Sequence, residues 1–317
     1  MTVGLGNVAP PESATRPTVA GACPLIVNAN AGALHGTAGP EELTRLAAEA
    51  GLPVEIIATE SVDAMRETLR RLDRENAPRV AVSGGDGTVG LAAQELAHSK
   101  VALGIVPQGT ANNFAHSLGL PVDPVEALRV IAAGHARDID LGRVGDRFFI
   151  ESAGVGLFAD MLRENSGATD KNLIRILAAV LKVLVRARAR GLRLIVDGQV
   201  HAERALLCEV ANTYRIATAL PIAPEAKLAD GLLNVVVIGD VPRRELPRYL
   251  SALLNRAHRD LPGVTTLRAR EVCIESRRPM AVHADDQVIG NTPTAIQVVP
   301  GALRVLVPQQ AGEPDRR

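Results

Sequence analysis

The segment Ser83-Gly84-Gly85-Asp86-Gly87-Thr88 constrains this chain more than any other. It follows the apolar run Arg79-Val80-Ala81-Val82, which reads as a short buried strand, and precedes Val89 to His98, whose spacing suits a helix. Glycines at a strand-to-helix turn let the backbone take positive φ and let a ligand approach bare N–H groups. The helix that follows offers unpaired amides and the positive end of its dipole. Proteins hold phosphate in this way. Asp86 repels an anion unless it meets a cation, a ribose hydroxyl or a water on Mg²⁺, so a nucleotide with Mg²⁺ suits both halves of the loop. A tight turn with an Asp as helix cap is the other reading of the same residues.

A second strand-like run, Val101 to Val106, delivers Pro107-Gln108-Gly109-Thr110-Ala111-Asn112-Asn113-Phe114-Ala115, again strand, turn and helix. In this order and at this separation the two loops resemble the GGDGT and GTxNDFA loops of the diacylglycerol kinase catalytic family. Those are the lipid kinases that include bacterial diacylglycerol kinases and the sphingosine and ceramide kinases. The resemblance spans roughly residues 22 to 308 and includes Leu118-Gly119-Leu120-Pro121 and the close Pro300-Gly301-Ala302-Leu303-Arg304-Val305-Leu306-Val307-Pro308. It implies an α/β N-terminal nucleotide-binding domain followed by a mainly β sandwich that carries the lipid site.

The order of elements agrees. Pro24 to Val27, the helix Glu41 to Ala50, Pro53 to Ala58 and the helix Val62 to Leu72 alternate as strand and helix up to the two glycine loops, which reads as a mostly parallel α/β unit. A helix from Pro124 to Ala133 stops at Gly134. From there strands dominate: Asp138 to Val144, Arg147 to Ser152, Leu192 to Val196 and Val200 to Glu203 around Asp197-Gly198, Ala205 to Ala211, Leu232 to Ile238, Thr265 to Glu275 and Ala295 to Val299. The expected division is a disordered leader over 1–21, the α/β domain over 22–134, and the β-sandwich over 135–299. A terminal strand over 300–308 that could return to the first domain and a disordered tail over 309–317 complete it. Gly154-Val155-Gly156-Leu157-Phe158-Ala159 has the GxGxxA spacing of a dinucleotide site, but the βαβ unit that such a site needs is missing, and a glycine turn is the better account.

Composition narrows the function. With zero formal net charge and 47% hydrophobic residues the chain reads as soluble and globular, not as a nucleic-acid binder, and 2% aromatics offer no stacking platform for single strands. Cys23, Cys208 and Cys273 sit apart in apolar runs, as in a reducing compartment, and the seven histidines show no paired metal spacing. The first twenty residues lack the pattern of a secretory signal, and no apolar run reaches the roughly 20 residues that span a bilayer, so a cytoplasmic location is expected. Leu173 to Val185, interrupted and flanked by basic residues such as Lys171, Arg175, Lys182 and Arg186, reads as a helix with its charges solvated or as a peripheral contact with an anionic membrane.

The resemblance also implies a site. ATP would lie against Asn28, Gly32, Thr59, Gly84, Gly85, Asp86, Gly87, Thr88, Gly109, Thr110 and Asn112. Mg²⁺ would be organised by Asp230 with the carbonyls of Lys227 and Leu232, and by Asp86. Val282-His283-Ala284-Asp285-Asp286-Gln287 stands where the family has DGE and supplies the catalytic candidates Asp285, Asp286 and Gln287, with Asp285 chosen as the base because a Gln takes no proton. Asn113, where the family has Asp, and Gly90-Leu91, where it has NE, are further departures. The expected function is therefore ATP- and Mg²⁺-dependent phosphorylation of a lipid hydroxyl, diacylglycerol-like, at a membrane surface, with a homodimer left open. A catalytically silent nucleotide- or lipid-binding member, and a NAD kinase with its similar GGDG loop, are the alternatives.

Overall fold

The computed structural model describes residues 21–29, 37–165, 188–217 and 220–309. The expectations for the leader, for Gly32, for the basic segment 173–185 and for the tail beyond 309 lie outside these residues.

Alternation of side chains builds the first half. Strands β1 (Cys23–Asn28), β2 (Val54–Thr59), β3 (Arg79–Gly84) and β4 (Ala102–Pro107) are parallel and ordered β4-β3-β1-β2. Cys23, Leu25 and Val27 point to one face and pack on α1 (Pro40–Glu49) and α5 (Pro124–Ala133) through Leu43, Leu46, Leu128 and Ile131. Ile26, Val80, Val82, Leu103 and Ile105 point to the other, where α2 (Val62–Arg74), α3 (Asp86–Leu96) and α4 (Asn113–Ser117) cover them with Met65, Leu69, Val89, Ala93 and Phe114. Strands buried on both faces read as continuous apolar runs, as these do. Local signals set the helix ends: Ser61 accepts from the Ala64 amide to cap α2, and Asp123 accepts from Glu126 to cap α5, which stops where Gly134 turns left-handed at φ 70°.

The second half is antiparallel. It contains β5 (Ala136–Val144), β6 (Arg147–Phe149), β7 (Ser152–Gly156), α6 (Leu157–Asn165), β8 (Arg190–Val196), β9 (Gln199–Ala211), β10 (Leu233–Gly239), α7 (Leu246–Leu254), β11 (Val264–Ala269), β12 (Glu271–Ser276), β13 (Ala281–Ala284), β14 (Gln287–Asn291) and β15 (Thr294–Leu306). Its core holds Val155, Leu194, Val235, Val272, Val282 and Ile296. The β8–β9 turn has Asp197 at φ 46° and Gly198 at φ 83°, the paired left-handed residues of a two-residue hairpin. Asp197 also accepts from the amides of Arg270 and Glu271, at 3.0 and 2.9 Å, just where the expected strand Thr265 to Glu275 divides into β11 and β12. The hairpin β13–β14 and helix α7 go beyond the sequence reading, and the two runs Val200 to Glu203 and Ala205 to Ala211 are one strand, β9.

Two strands belong to both halves. β15 and β5 pair along their length, from Ile296 opposite Val144 to Leu306 opposite Ala136, with an irregularity between Val299 and Leu303. The first part of β15 also pairs with β12, and Val305 lies beside Leu103 of β4. The boundary drawn at 134/135 therefore falls at the start of a ribbon that runs through both halves.

Candidate active site

Asn28, Thr59, Gly84 and Pro107 end four parallel strands in register, Asn28 opposite Thr59 and Gly84 opposite Pro107, so the loops that follow share one edge of the sheet. Ligands of such sheets gather at the carboxyl ends of the strands.

The glycine loops are shaped by each other. A Cβ on Gly109 would stand 2.5 Å from the Gly85 Cα, and one on Gly85 would stand 2.9 Å from the Gly109 Cα, so the two loops touch backbone to backbone. Over Gly84 lies the side chain of Thr88. Helix α3 begins at Asp86 rather than at Val89, and the Asp86 carboxylate accepts from the amides of Asn113 and Phe114 at 3.2 and 3.1 Å, which caps α4 and ties the second loop to the first. Asn112 is left-handed at φ 48°, and its amide group bonds back to both the N–H and the carbonyl of Gly109 at 2.8 Å. Asn112 and Thr88, expected against the nucleotide, also shape the loops. Gln108 is an unforeseen latch: its side chain donates to Ser83 Oγ and bonds both the N–H and the carbonyl of Ala38.

Across α3 lies the turn between β13 and β14. Asp285 is left-handed at φ 50°, and its carboxylate accepts from the amides of Ile150, Glu151 and Ser152 at 3.1, 2.8 and 3.4 Å. Burial lifts its carboxyl to about 6 against the pull of those amides. Held by three donors, the Asp285 carboxylate, expected as the base, is tied to the main chain and braces the loop between β6 and β7. Asp286, next to it, is exposed, and its Oδ2 lies 3.9 Å from where a Cβ on Gly87 would stand. Gly87 and Gly90 share a face of α3, and that face looks onto Asp286 and Asp285.

Glu151 is the residue that sequence reasoning missed. It is 7% exposed, and its Oε2 accepts from Asn113 Nδ2 and from the Ala217 amide, each at 3.1 Å. Burial, then the nearby carboxylates of Asp86 and Asp285, push its pKa up to about 9, so at neutral pH it is a carboxylic acid. Both donors fall on Oε2, which leaves Oε1 for the proton. The departure at Asn113 is thereby explained, because an amide donates to Glu151 where an Asp would add a further charge. One signal was in the sequence: a lone acid inside the apolar run Phe148-Phe149-Ile150-Glu151-Ser152-Ala153.

A stability test follows from that proton. Between about 4.5 and about 9 the folded protein holds a proton on Glu151 that the unfolded chain has released, so stability falls as pH rises through this window. Asp285 acts in the same sense only up to about 6. Melting temperature is expected to drop between pH 6 and 9 in the wild type and to drop less steeply in Glu151→Gln, where His283, raised against the pull of burial by Glu209, still acts in the same sense; equal slopes would contradict the assignment.

These groups border a cleft of about 590 Å³ between the halves. Asp86, Glu151, Asp285 and Asp286 lie on it together with Leu91, Phe148, Ile150, Phe158, Met161 and Leu162. One chamber thus joins carboxyl groups to an apolar wall. The expected metal set is elsewhere: Asp230 pairs with Arg268, accepts from the Leu232 amide at 3.1 Å and does not border this cleft, while Lys227 is exposed beside it in sequence. Here the Asp230 carboxylate is turned to the Arg268 guanidinium, so a cation held by Asp230 with the carbonyls of Lys227 and Leu232 would have to displace that contact. Among the described residues no group of three or more His, Cys, Asp or Glu could hold a metal. The open face of α3 at Gly87 and the exposed Asp286 fit a Mg²⁺ that arrives on nucleotide phosphates, since this ion keeps several waters and needs only one or two carboxylates.

Comparison with known proteins now decides the family. The diacylglycerol kinase catalytic domain matches residues 23–144, and the YegS C-terminal NAD kinase beta sandwich-like domain matches residues 152–307. A diacylglycerol kinase of Mycobacterium tuberculosis is 34% identical over 265 residues, 81% of this chain and 85% of the relative. The chain belongs to the diacylglycerol kinase family. A second relative in that family, from Staphylococcus saprophyticus, is 29% identical over 260 residues, 80% of this chain and 84% of its own. A crystal structure of a diacylglycerol kinase from Bacillus anthracis covers 91% of this chain and 97% of its own with a TM-score of 0.70 at 20% identity, which establishes the two-domain fold. Family membership fits the order of the two glycine loops, and the relatives match across both halves, whereas the NAD kinase likeness lies in the sandwich.

Proposed function

We propose that this protein is a lipid kinase that moves the γ-phosphate of ATP, with Mg²⁺, to the hydroxyl of a diacylglycerol-like lipid at a membrane surface. The observation that carries this reading is the cleft, with its acidic end at Asp86 and Asp286 and its apolar wall of Leu91, Phe148, Ile150, Phe158, Met161 and Leu162. A hydroxyl on an acyl-chain lipid matches that polarity. The amides at the start of α3 and the open Gly87 face would receive phosphate. Asp286 would accept the acceptor hydroxyl's proton as its oxygen bonds to the γ-phosphorus and the bond to the β-phosphate oxygen breaks. When bound, Mg²⁺ supplies neutralisation of the phosphate charge. Asp285 holds the loop that carries Glu151, and neutral Glu151 spares the site a further negative charge beside an anionic substrate. Among the described residues no helix is long and apolar enough to cross a membrane, so the lipid would be reached from the surface. The three cysteines are free, in keeping with a reducing, cytoplasmic setting.

The test is incubation of the purified protein with γ-labelled ATP, Mg²⁺ and a membrane lipid extract, followed by phase separation. Label in the organic phase is expected, and its mass identifies the acceptor. ATP binding by thermal shift with no labelled lipid would favour a silent member, and label in NADP would favour a NAD kinase.

A further inference from the structure

Three adjacent strands place His283, Gly154 and Glu209 in one row. His283 of β13 lies opposite Gly154 of β7, and Gly154 lies opposite Glu209 of β9. The outer two residues are therefore about two strand spacings apart, roughly 9.5 Å, too far for contact across an ordinary side chain. With no side chain on Gly154 they meet above it: His283 Nε2 is 3.1 and 3.0 Å from the two Glu209 carboxylate oxygens. A Cβ on Gly154 would come within 2.8 Å of Glu209 Oε2 and 2.3 Å of the Cys208 carbonyl. The glycine whose spacing suggested a dinucleotide site makes room for this pair.

The pair is sealed and directed. His283 is 0% and Glu209 1% exposed. The second ring nitrogen of His283, Nδ1, lies 3.1 Å from the main-chain carbonyl of Asp285, and since a carbonyl only accepts, Nδ1 carries a hydrogen. One more proton lies between Nε2 and the Glu209 carboxyl. Written as imidazolium with carboxylate or as imidazole with carboxylic acid, the pair is neutral overall, which is what burial at this depth demands. The His283 ring also meets Phe158 edge-on, 4.7 Å between centroids at 81°, and Phe158 is part of the apolar wall.

We infer that His283, clamped by Glu209 across Gly154, is a positioning residue for the catalytic turn: it fixes the main chain at Asp285 and so aims Asp286 into the cleft. The turn needs such a clamp because Asp285 is left-handed and neither Asp285 nor Asp286 is a glycine. This inference rests on the lipid kinase reading.

The test is a double-mutant cycle of His283→Ala and Asp286→Asn, with kcat and both KM values measured on labelled ATP and the lipid found above. His283→Ala is expected to lower kcat about 10²-fold, the usual cost of a misplacement of about 1 Å, with the KM for ATP within about twofold of wild type. Because it acts through Asp286, the double variant should be no slower than Asp286→Asn alone to within about threefold, and multiplying effects would overturn the inference. Glu209→Gln, whose amide donates to Nε2, should keep most of the activity, while Glu209→Leu should fall as His283→Ala does; equal loss in both would count against the clamp. Should His283→Ala fail to fold, NMR of ¹⁵N-histidine-labelled wild type decides, with a hydrogen on Nδ1 of His283 expected and its absence fatal. That spectrum needs no turnover. An inactive wild type would therefore sink the kinase reading and leave the clamp to be judged by itself.

Discussion

Asp286→Asn is expected to lower the rate of lipid phosphorylation by roughly 10²–10⁴-fold, the range that a positioned general base contributes, with the melting temperature almost unchanged. The side chain is exposed, has no hydrogen bond to another described residue and faces the open side of Gly87. Its loss would therefore remove a proton acceptor and little else. Asp285→Asn should behave in the opposite way. An amide nitrogen there would confront main-chain N–H donors of Ile150 or of Glu151 and Ser152, and an unsatisfied buried donor costs about 1–3 kcal/mol, so stability falls first and activity follows. Measuring kcat and thermal unfolding on both variants separates base from brace. A wild-type rate in Asp286→Asn would move the proton to another acceptor.

Gly109→Ala is the second large effect, and it is steric. The added methyl would stand 2.5 Å from the Gly85 Cα and 2.8 Å from Asn112 Oδ1, neither of which is the far end of a long flexible side chain. The two loops would have to part, at a cost of about 1–3 kcal/mol for overpacking, and the Asn112 bonds that close the second loop would open. Both stability and the thermal shift produced by Mg-ATP should fall. Gly191→Ala is the control: nothing lies within 4 Å of the new methyl, and the change should stay within about 0.5 kcal/mol. Unimpaired ATP binding in Gly109→Ala would show that the nucleotide does not depend on the contact between these loops.

The sequence made the first half legible because its signals are local. Apolar runs of four to six residues, Asp123-Pro124 at the start of a helix and Gly134 at its end each act within a few residues of themselves. Asp197-Gly198 did the same for a hairpin. The site was legible only in outline. Gly84, Gly85 and Gly109 were read as openings for a ligand, yet a loop distant in sequence or a threonine one turn on fills the space over each. Asp285 and Asp286 are neighbours of one type, and which of them is free depends on a single left-handed φ and on three amides more than 130 residues away. Glu151 carries its proton because the fold buries it and sets Asp86 and Asp285, remote in the chain, beside it. Asp230 was expected at a metal only through the family resemblance, since its DG by itself reads as a turn, and only the fold brings Arg268 to it.

The ribbon of β5 and β15 has a consequence for how the protein is made. During synthesis the α/β half emerges first, but its sheet is unfinished until Val305 reaches Leu103, and the sandwich likewise waits for Thr294 to Gln297 to join β12. Neither half can close on a nascent chain, because one late segment completes both. Such distant pairing slows folding and leaves the edge of β4 open meanwhile. The residues that line the cleft, from Val62 to Gln287, are all made before that segment, so the last strand fixes the two walls in place without supplying either.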